Sequence, residues 1–188
     1  MAFRKASAYS KKRVRPFTRT SRNKSKAFIK TVPQSKIAKM TAGDTAGFHA
    51  GKHPFIIRYV AGESVQIKDN AIEACRMYLA KMMDESATGQ YYLAIKVAPH
   101  HMVRENKSAG GMAGADRIST GMTQSFGVVI GRSALVPAGK EVFFISCAND
   151  KAVRVARKAM NAIKSKLPCR GYVTFEDKQL AAQMLMKK

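Results

Sequence analysis

The distribution of charge along the chain restricts its fold more than any other feature. Residues 1–40 contain thirteen Lys or Arg and no Asp or Glu. Such a segment cannot form a core of its own, because its like charges repel one another and stay solvated. The apolar residues, 46% of the 188, must be buried mainly by the remainder, which is long enough for a sizeable core. We predict a basic N-terminal extension over residues 1–52, a globular domain over 53–176 and a C-terminal tail over 177–188.

The net charge indicates what kind of partner the chain binds. A formal charge of +22 at pH 7 would make a free compact protein repel itself, so the expected partner is a polyanion. Nucleic acid fits best, and an anionic membrane surface is a weaker alternative because there is no long apolar span. The acid-free, Arg- and Ser-rich N-terminus also resembles a transit peptide in composition, although it lacks an apolar helical stripe. The candidate nucleic-acid-binding side chains of the extension are Arg4, Lys5, Lys11, Lys12, Arg13, Arg15, Arg19, Arg22, Lys24 and Lys26.

Apolar periodicity predicts an α+β fold for the domain. Alternating β-branched and aromatic residues are typical of strands, and apolar residues three or four positions apart are typical of helices. We predict a two-layer sandwich in which helices pack on a mixed or antiparallel sheet. Asp69 and Asp150 are the predicted N-caps of the two helices. The predicted strands are 53–60, 91–98, 100–104, 126–130, 141–147 and 171–175, and the predicted helices are 69–85 and 150–167, with a helical turn at 116–121.

The second predicted helix has the more distinct amphipathic pattern. Val153, Ala156, Met160 and Ile163 form its apolar stripe. Its other face carries six bases: Lys151, Arg154, Arg157, Lys158, Lys164 and Lys166. A charged helix face is often only solvated, but no acid offsets the charge here, so we predict a surface that faces phosphates. The first four of these bases are candidate nucleic-acid-binding residues.

A glycine-rich stretch over residues 99–127 interrupts the apolar pattern. Between Arg104 and Arg117 there is almost nothing to bury, and glycines permit backbone conformations that other residues avoid. Long loops of this kind inside compact domains are usually functional or disordered. We predict a flexible functional loop over 104–117 that orders against a large, negatively charged partner. A mobile surface loop without a partner is the alternative.

The residues that enzymes use do not form a convincing set in this sequence. His100 and His101 are adjacent, so in a strand they point to opposite faces and only one could line a pocket. The glycine run lacks both the Walker ending and the dinucleotide-binding order of glycines. Cys75, Cys147 and Cys169 lie in or beside apolar segments and have no metal-ligand spacing, so we interpret them as core residues. We expect no catalytic residue, metal, cofactor or small-molecule substrate.

The loop and its surroundings contain a group of distinctive motifs. They are Arg104-Glu105-Asn106-Lys107, Gly114-Ala115-Asp116-Arg117-Ile118, Thr120-Gly121-Met122 and Phe126-Gly127. With the run from Asn70 to Arg76 and the final Lys166-Leu167-Pro168, they resemble the large-subunit ribosomal protein family called L-ten-e in archaea and eukaryotes, homologous to bacterial L-sixteen. The resemblance covers most of the chain, and the Arg-Glu-Asn-Lys form is more similar to the archaeal members.

This resemblance implies a function and a set of partners. It implies an α+β protein of the cytoplasmic large ribosomal subunit that binds rRNA, lies among neighbouring ribosomal proteins and helps to position aminoacyl-tRNA near the peptidyl-transferase centre. Lys107 and Arg117 are then candidates for contacts with tRNA or rRNA backbone, Asn106 for a hydrogen bond to sugar or phosphate, and Asp116 for holding Arg117. The loop residues expected near tRNA or rRNA are Arg104, Asn106, Lys107, Gly110, Gly111, Gly114, Asp116 and Arg117.

The sequence departs from the family pattern just after the loop, and other functions stay open. Relatives usually carry basic residues after Thr-Gly-Met and Lys-Pro after Phe-Gly, whereas this chain has Thr123, Gln124 and Ser125, then Val128 and Val129. The RNA contact expected of the family therefore lacks its basic residues here. One rival function is a free-standing basic RNA-binding chaperone or chromatin-like protein, for which the basic extension alone would suffice. The other is an enzyme acting on RNA, which would need a pocket with perturbed acids or histidines.

Overall fold

The computed structural model describes residues 32–105 and 128–177 of the chain. Within these residues there are eight strands and three α-helices, and each strand pairs with its neighbours in antiparallel fashion. The predicted α+β class, with helices packed on a sheet, is confirmed. The strands are β1 Thr41–Gly43, β2 Phe55–Ala61, β3 Val65–Lys68, β4 Tyr91–Ile95, β5 His101–Glu105, β6 Val128–Val136, β7 Glu141–Cys147 and β8 Gly171–Asp177. The helices are α1 Thr45–His49, α2 Asp69–Ala87 and α3 Asp150–Ala162, the last followed by a 3₁₀ turn at Ile163–Lys166.

A five-stranded sheet in the order β1-β4-β7-β2-β8 supports the two long helices on one face. Alternate residues of its central strands point to this face, because side chains alternate along a strand. Ile57 lies opposite Ile145 and Tyr59 lies opposite Phe143, and all four side chains are fully buried. α2 adds Ile72, Cys75, Leu79 and Met83 to this core, and α3 adds Ala152, Val153, Ala156, Ala159 and Met160.

The opposite face of the same sheet carries a smaller apolar cluster. Ile56, Tyr92, Ala94 and Phe144 form it, and Phe48 of α1 packs against it. The rings of Phe48 and Tyr92 are stacked, with centroids 4.4 Å apart and planes 15° apart. α1 therefore covers a sheet face that would otherwise expose aromatic surface.

β1 and α1 lie within residues 1–52, the range predicted to form the basic N-terminal extension. β1 pairs with β4, placing Thr41 opposite Ala94, and α1 follows directly. Gly43 ends β1 with φ +87°, and a Cβ atom there would lie 2.3 Å from the carbonyl oxygen of Tyr91. The sequence did not reveal β1, since a three-residue strand of small residues has no apolar alternation to detect.

A second sheet, in the order β3-β6-β5, carries the ends of the glycine-rich loop. β6 lies in its centre and continues through the turn at 137–140 into β7, where the sequence predicted a turn. β6 also extends to Val136, well past the predicted end at Ile130, and β3 was not predicted. Val65 and Ile67 of β3 and Val136 of β6 are buried as part of the main core.

Candidate nucleic-acid interface

The exposed side of α3 carries four basic side chains over its first nine residues. Apolar residues recur at helical spacing and hold the opposite side against the sheet, so the intervening residues point to solvent. These exposed bases, here named the α3 basic face, are Lys151, Arg154, Arg157 and Lys158. The structure therefore brings all four predicted residues of this helix onto one exposed surface. Lys164, Lys166 and Arg170 are also exposed and extend the run of positive charge beyond the helix.

The described carboxylates that form ion pairs lie on elements other than α3. Arg58 pairs with both Glu141 and Glu176 on the sheet, and Arg76 Nη2 lies 2.6 Å from Glu73 Oε1 on α2. Over residues 32–103 and 129–177, no carboxylate forms an ion pair with the α3 basic face. Within that part of the protein the four cations form no ion pair, and the one acidic residue of α3 is Asp150 at its start.

Two basic side chains, one on α3 and one in the 3₁₀ turn after it, lie over aromatic rings. The guanidinium carbon of Arg157 lies 4.5 Å from the ring centroid of Phe175, and Lys166 Nζ lies 5.5 Å from that of Tyr78. Phe175 is 43% exposed although it sits on β8 beside the core. Sequence reasoning missed both aromatics, because the partners are distant in sequence and Phe175 reaches Arg157 only when β8 joins the sheet.

Two carboxylates at the start of α2 bind the backbone of residues 33–38, the segment that leads from the basic N-terminus to β1. The backbone N–H of Lys36 donates to Asp69 Oδ2 at 3.1 Å, and that of Ala38 donates to Glu73 Oε2 at 3.3 Å. The hydrogen bond from Arg76 lowers the pKa of Glu73, so this acceptor stays ionised near neutral pH. Asp69, predicted as an N-cap, is instead the first helical residue and is 2% exposed. Its carboxylate is thus an anchor for the segment as well as a favourable charge at the helix start.

β6 also holds this segment. Arg132 Nε donates to the carbonyl oxygen of Pro33 at 2.6 Å, across 99 residues of sequence. Arg132 lies opposite Met102 of β5 in the small sheet. Pro33 is therefore hydrogen-bonded to the same small sheet whose strands lead into and out of the loop.

The two ends of the loop are brought together by β5 and β6. Arg104 lies on β5 opposite Val129, next to a register shift that follows Val103. His101, the first residue of β5, is 3% exposed, whereas His100 before it is exposed. The antiparallel pair thus provides a fixed base from which the loop departs.

The remaining predicted site residues lie outside the described residues. Within the loop they are Asn106, Lys107, Gly110, Gly111, Gly114, Asp116 and Arg117, and within the extension they are Arg4, Lys5, Lys11, Lys12, Arg13, Arg15, Arg19, Arg22, Lys24 and Lys26. The predicted helical turn at 116–121 and the tail beyond Asp177 lie outside them as well. Their contacts stay predictions.

The three cysteines are buried in the core, as predicted. Burial raises the pKa of the Cys75 and Cys147 thiols to about 12 and also raises that of Cys169, so all three remain protonated at neutral pH. In the two described ranges, no group of three or more His, Cys, Asp or Glu side chains is arranged to hold a metal ion. None of the helices in those ranges has the length and apolar character needed to cross a membrane.

Comparison with known proteins identifies one family over most of the chain. The family model described as Ribosomal protein L16p/L10e matches residues 15–174. The protein named large ribosomal subunit protein uL16 of Methanococcus maripaludis is 35% identical over 177 residues, covering 93% of this chain and 95% of the relative. The uL16 of Staphylothermus marinus is 35% identical over 177 residues, covering 94% and 95%. The uL16 of Pyrobaculum neutrophilum is 31% identical over 182 residues, covering 95% and 94%.

These matches extend from within the basic extension, through the loop and α3, into β8. They therefore include the α3 basic face and the small sheet that carries the loop, and not only the apolar core. By sequence over nearly its full length, and with the α+β fold described above, the chain belongs to the ribosomal protein L16p/L10e family.

Proposed function

We propose that this chain binds rRNA through its N-terminal extension and its α3 basic face, and helps to position aminoacyl-tRNA through loop 104–117. As a member of its family, the chain is a structural protein of the large ribosomal subunit in the cytoplasm. The observation that carries the proposal is the α3 basic face, which presents four exposed cations without a carboxylate partner in the described residues. RNA phosphates would supply the missing negative charge.

Electrostatics would account for most of the affinity. Each Lys or Arg that neutralises a phosphate releases condensed counterions, so binding weakens as salt rises. Such contacts fix the position of the protein but carry little sequence information. Placement on rRNA would instead follow from the shape of the folded RNA, with 2′-hydroxyl and stacking contacts adding selectivity.

The loop assignment is supported by how the loop is attached. β5 and β6 hold its two ends in one antiparallel pair, so a loop that orders against tRNA would do so from a fixed base. Lys107 and Arg117 would contact the RNA backbone, Asn106 would donate to sugar or phosphate, and Asp116 would orient Arg117. These residues would position substrates rather than take part in bond formation, in agreement with a structural role.

The test is to replace Lys151, Arg154 and Lys158 together by Gln and to measure the affinity of the full chain for large-subunit rRNA over a range of salt concentrations. Binding should weaken, and the slope of log K against log salt should fall by about 0.7–0.9 for each lost phosphate contact. Arg157 is left intact so that its separate role can be tested independently.

The matched control removes the same charge from other exposed positions. Lys52, Lys81 and Lys140 are exposed and lie in the loop after α1, on α2 and just before β7. Their triple replacement by Gln should change the slope much less. An equal loss in both variants would mean that net charge alone drives binding and that the α3 basic face is not an interface.

A further inference from the structure

We propose that Arg157 and Phe175 together form a stacking subsite for an unpaired RNA base at the β8 edge of the five-stranded sheet, an inference that rests on the proposed rRNA-binding function. The ring of Phe175 would hold the Arg157 guanidinium in one plane, and the base would stack on the opposite face of that guanidinium. The N–H groups of the guanidinium would donate to a neighbouring phosphate. Neither the sequence motifs nor the family match assigns this role to Phe175.

The ring of Phe175 contacts one face of the Arg157 guanidinium. Its central carbon lies 4.5 Å from the centroid of the Phe175 ring, within the range of a cation–π contact. Phe55 packs against the same ring, with centroids 6.1 Å apart and planes 22° apart. The aromatic ring is therefore held by β2 while Arg157 remains exposed.

Arg157 has the properties that base stacking requires. A guanidinium is planar, weakly hydrated and rich in N–H donors, and unpaired RNA bases commonly stack on such planes. In the described residues no carboxylate pairs with it, so its donors are not committed to an ion pair. The other three cations of the α3 basic face provide the charge complementarity that favours RNA over an uncharged protein strand as the occupant of this edge.

Tyr172 offers a matched comparison on the same strand. It is 51% exposed, and its position, three residues from Phe175, places it on the other face of the sheet. It lies opposite Val60 rather than beside α3. Any effect that comes simply from removing an exposed aromatic from β8 should therefore appear in Tyr172→Leu as well.

The experiment is a double-mutant cycle in the full-length chain, with binding of a fluorescent single-stranded RNA decamer measured at several salt concentrations. Phe175→Leu keeps an apolar side chain but removes the ring, and should weaken binding about two- to fivefold, the usual strength of an exposed cation–π contact. Its salt slope should be unchanged, because no charge is lost. Arg157→Gln should weaken binding further and lower the slope, and adding Phe175→Leu to it should have no further effect.

Three further measurements isolate the base contact. Phe175→Tyr retains the ring and should bind like the parent, and Tyr172→Leu should also bind like the parent. Inorganic polyphosphate offers charge without bases, so Phe175→Leu should bind it like the parent. Thermal unfolding of each variant checks that the fold is retained.

Any one of three results overturns the inference. The first is that Phe175→Leu binds the decamer as tightly as the parent, and the second is that Phe175→Leu weakens binding as much in the Arg157→Gln background as in the parent. The third is that Phe175→Leu weakens binding to polyphosphate as much as binding to the decamer. In any of these cases the proposed rRNA-binding function stands, provided that the parent binds the decamer in a salt-dependent way. If the parent shows no salt-dependent binding to RNA, the proposed function fails together with this subsite.

Discussion

At the scale of single residues, Gly171, the first residue of β8, lies where a side chain would have no space. A Cβ atom at this position would lie 2.4 Å from the hydroxyl oxygen of Tyr59 and 2.5 Å from Cζ of the same ring. Tyr59 is fully buried between the sheet and the helices, and burial raises the pKa of its hydroxyl to about 12. The ring has no room to move aside, so glycine is required here for lack of space.

Replacing Gly171 by Ala should therefore destabilise the protein by about 1–3 kcal/mol, the usual cost of overpacking a close-packed core. The measurement is urea unfolding followed by circular dichroism. Gly131 on β6 is the control, since a Cβ atom there meets nothing within 4 Å. Gly131→Ala should change stability by no more than about 0.5 kcal/mol, as for most substitutions in open space. A similar loss in both variants would show that chain flexibility, and not the contact with Tyr59, governs this site.

At the scale of secondary structure, the sequence predicted those elements whose side chains repeat a clear period. β2, β7, α2 and α3 carry regular apolar patterns, and each was found close to its predicted range. The predicted end of the second helix at 167 was too late for the α-helix, which ends at Ala162, but a 3₁₀ turn continues to Lys166, just before Pro168. These elements are specified locally, so composition and spacing are sufficient to predict them.

The elements that the sequence missed depend on partners rather than on their own pattern. β6 continues through Gly131, Arg132 and Ser133, which break the apolar alternation, because β5 pairs with its first part up to Ser133 and β3 pairs with the rest from Ser133 to Val136. The same distinction decides which parts of the candidate site could be predicted. Helical spacing alone predicts the α3 basic face, whereas the Arg157–Phe175 pair depends on a tertiary contact.

The anchor at the start of α2 can be tested one hydrogen bond at a time. Asp69 accepts the amide of Lys36 on one oxygen and that of Asn70 on the other, so Asp69→Asn leaves one acceptor for two donors. Hydrogen exchange at the Lys36 amide should accelerate by about fivefold or more, since one such bond contributes roughly 1 kcal/mol. The Ala38 amide, which donates to Glu73, is the internal control and should exchange as before. Equal acceleration at both amides would mean that the segment detaches as one unit.

At the scale of the whole molecule, the two proposed RNA contacts are carried by different layers. α3 lies against the five-stranded sheet, whereas the loop departs from the small sheet, and α2 packs between α3 and the strands of that small sheet. A change in the loop should therefore leave the α3 basic face intact. Docking on rRNA and positioning of tRNA are expected to be separable by mutation.

Replacing Arg104, Lys107 and Arg117 by Ala should reduce translation while large subunits still assemble, because Arg104 lies at the end of β5 that leads into the loop, the other two lie in the loop sequence, and none belongs to the core cluster. Sucrose-gradient sedimentation measures assembly, and a reporter translated by the purified subunits measures activity. The α3 triple variant should show the reverse order of defects, with incorporation reduced first. Failure of assembly in the loop variant, with normal translation by the subunits that do form, would contradict the assignment of the loop.

The hydrogen bond between Arg132 and Pro33 also has a consequence for the order of events during synthesis. The thirteen bases of residues 1–40 are made first, yet this anchor of their segment is made 99 residues later. At typical elongation rates of about 5–20 residues per second, the nascent chain carries these bases for roughly 5–20 s before β6 exists to hold Pro33. During that interval they face the abundant RNA of the cell without this restraint, so the newborn chain is exposed to premature capture by whichever polyanion it meets first.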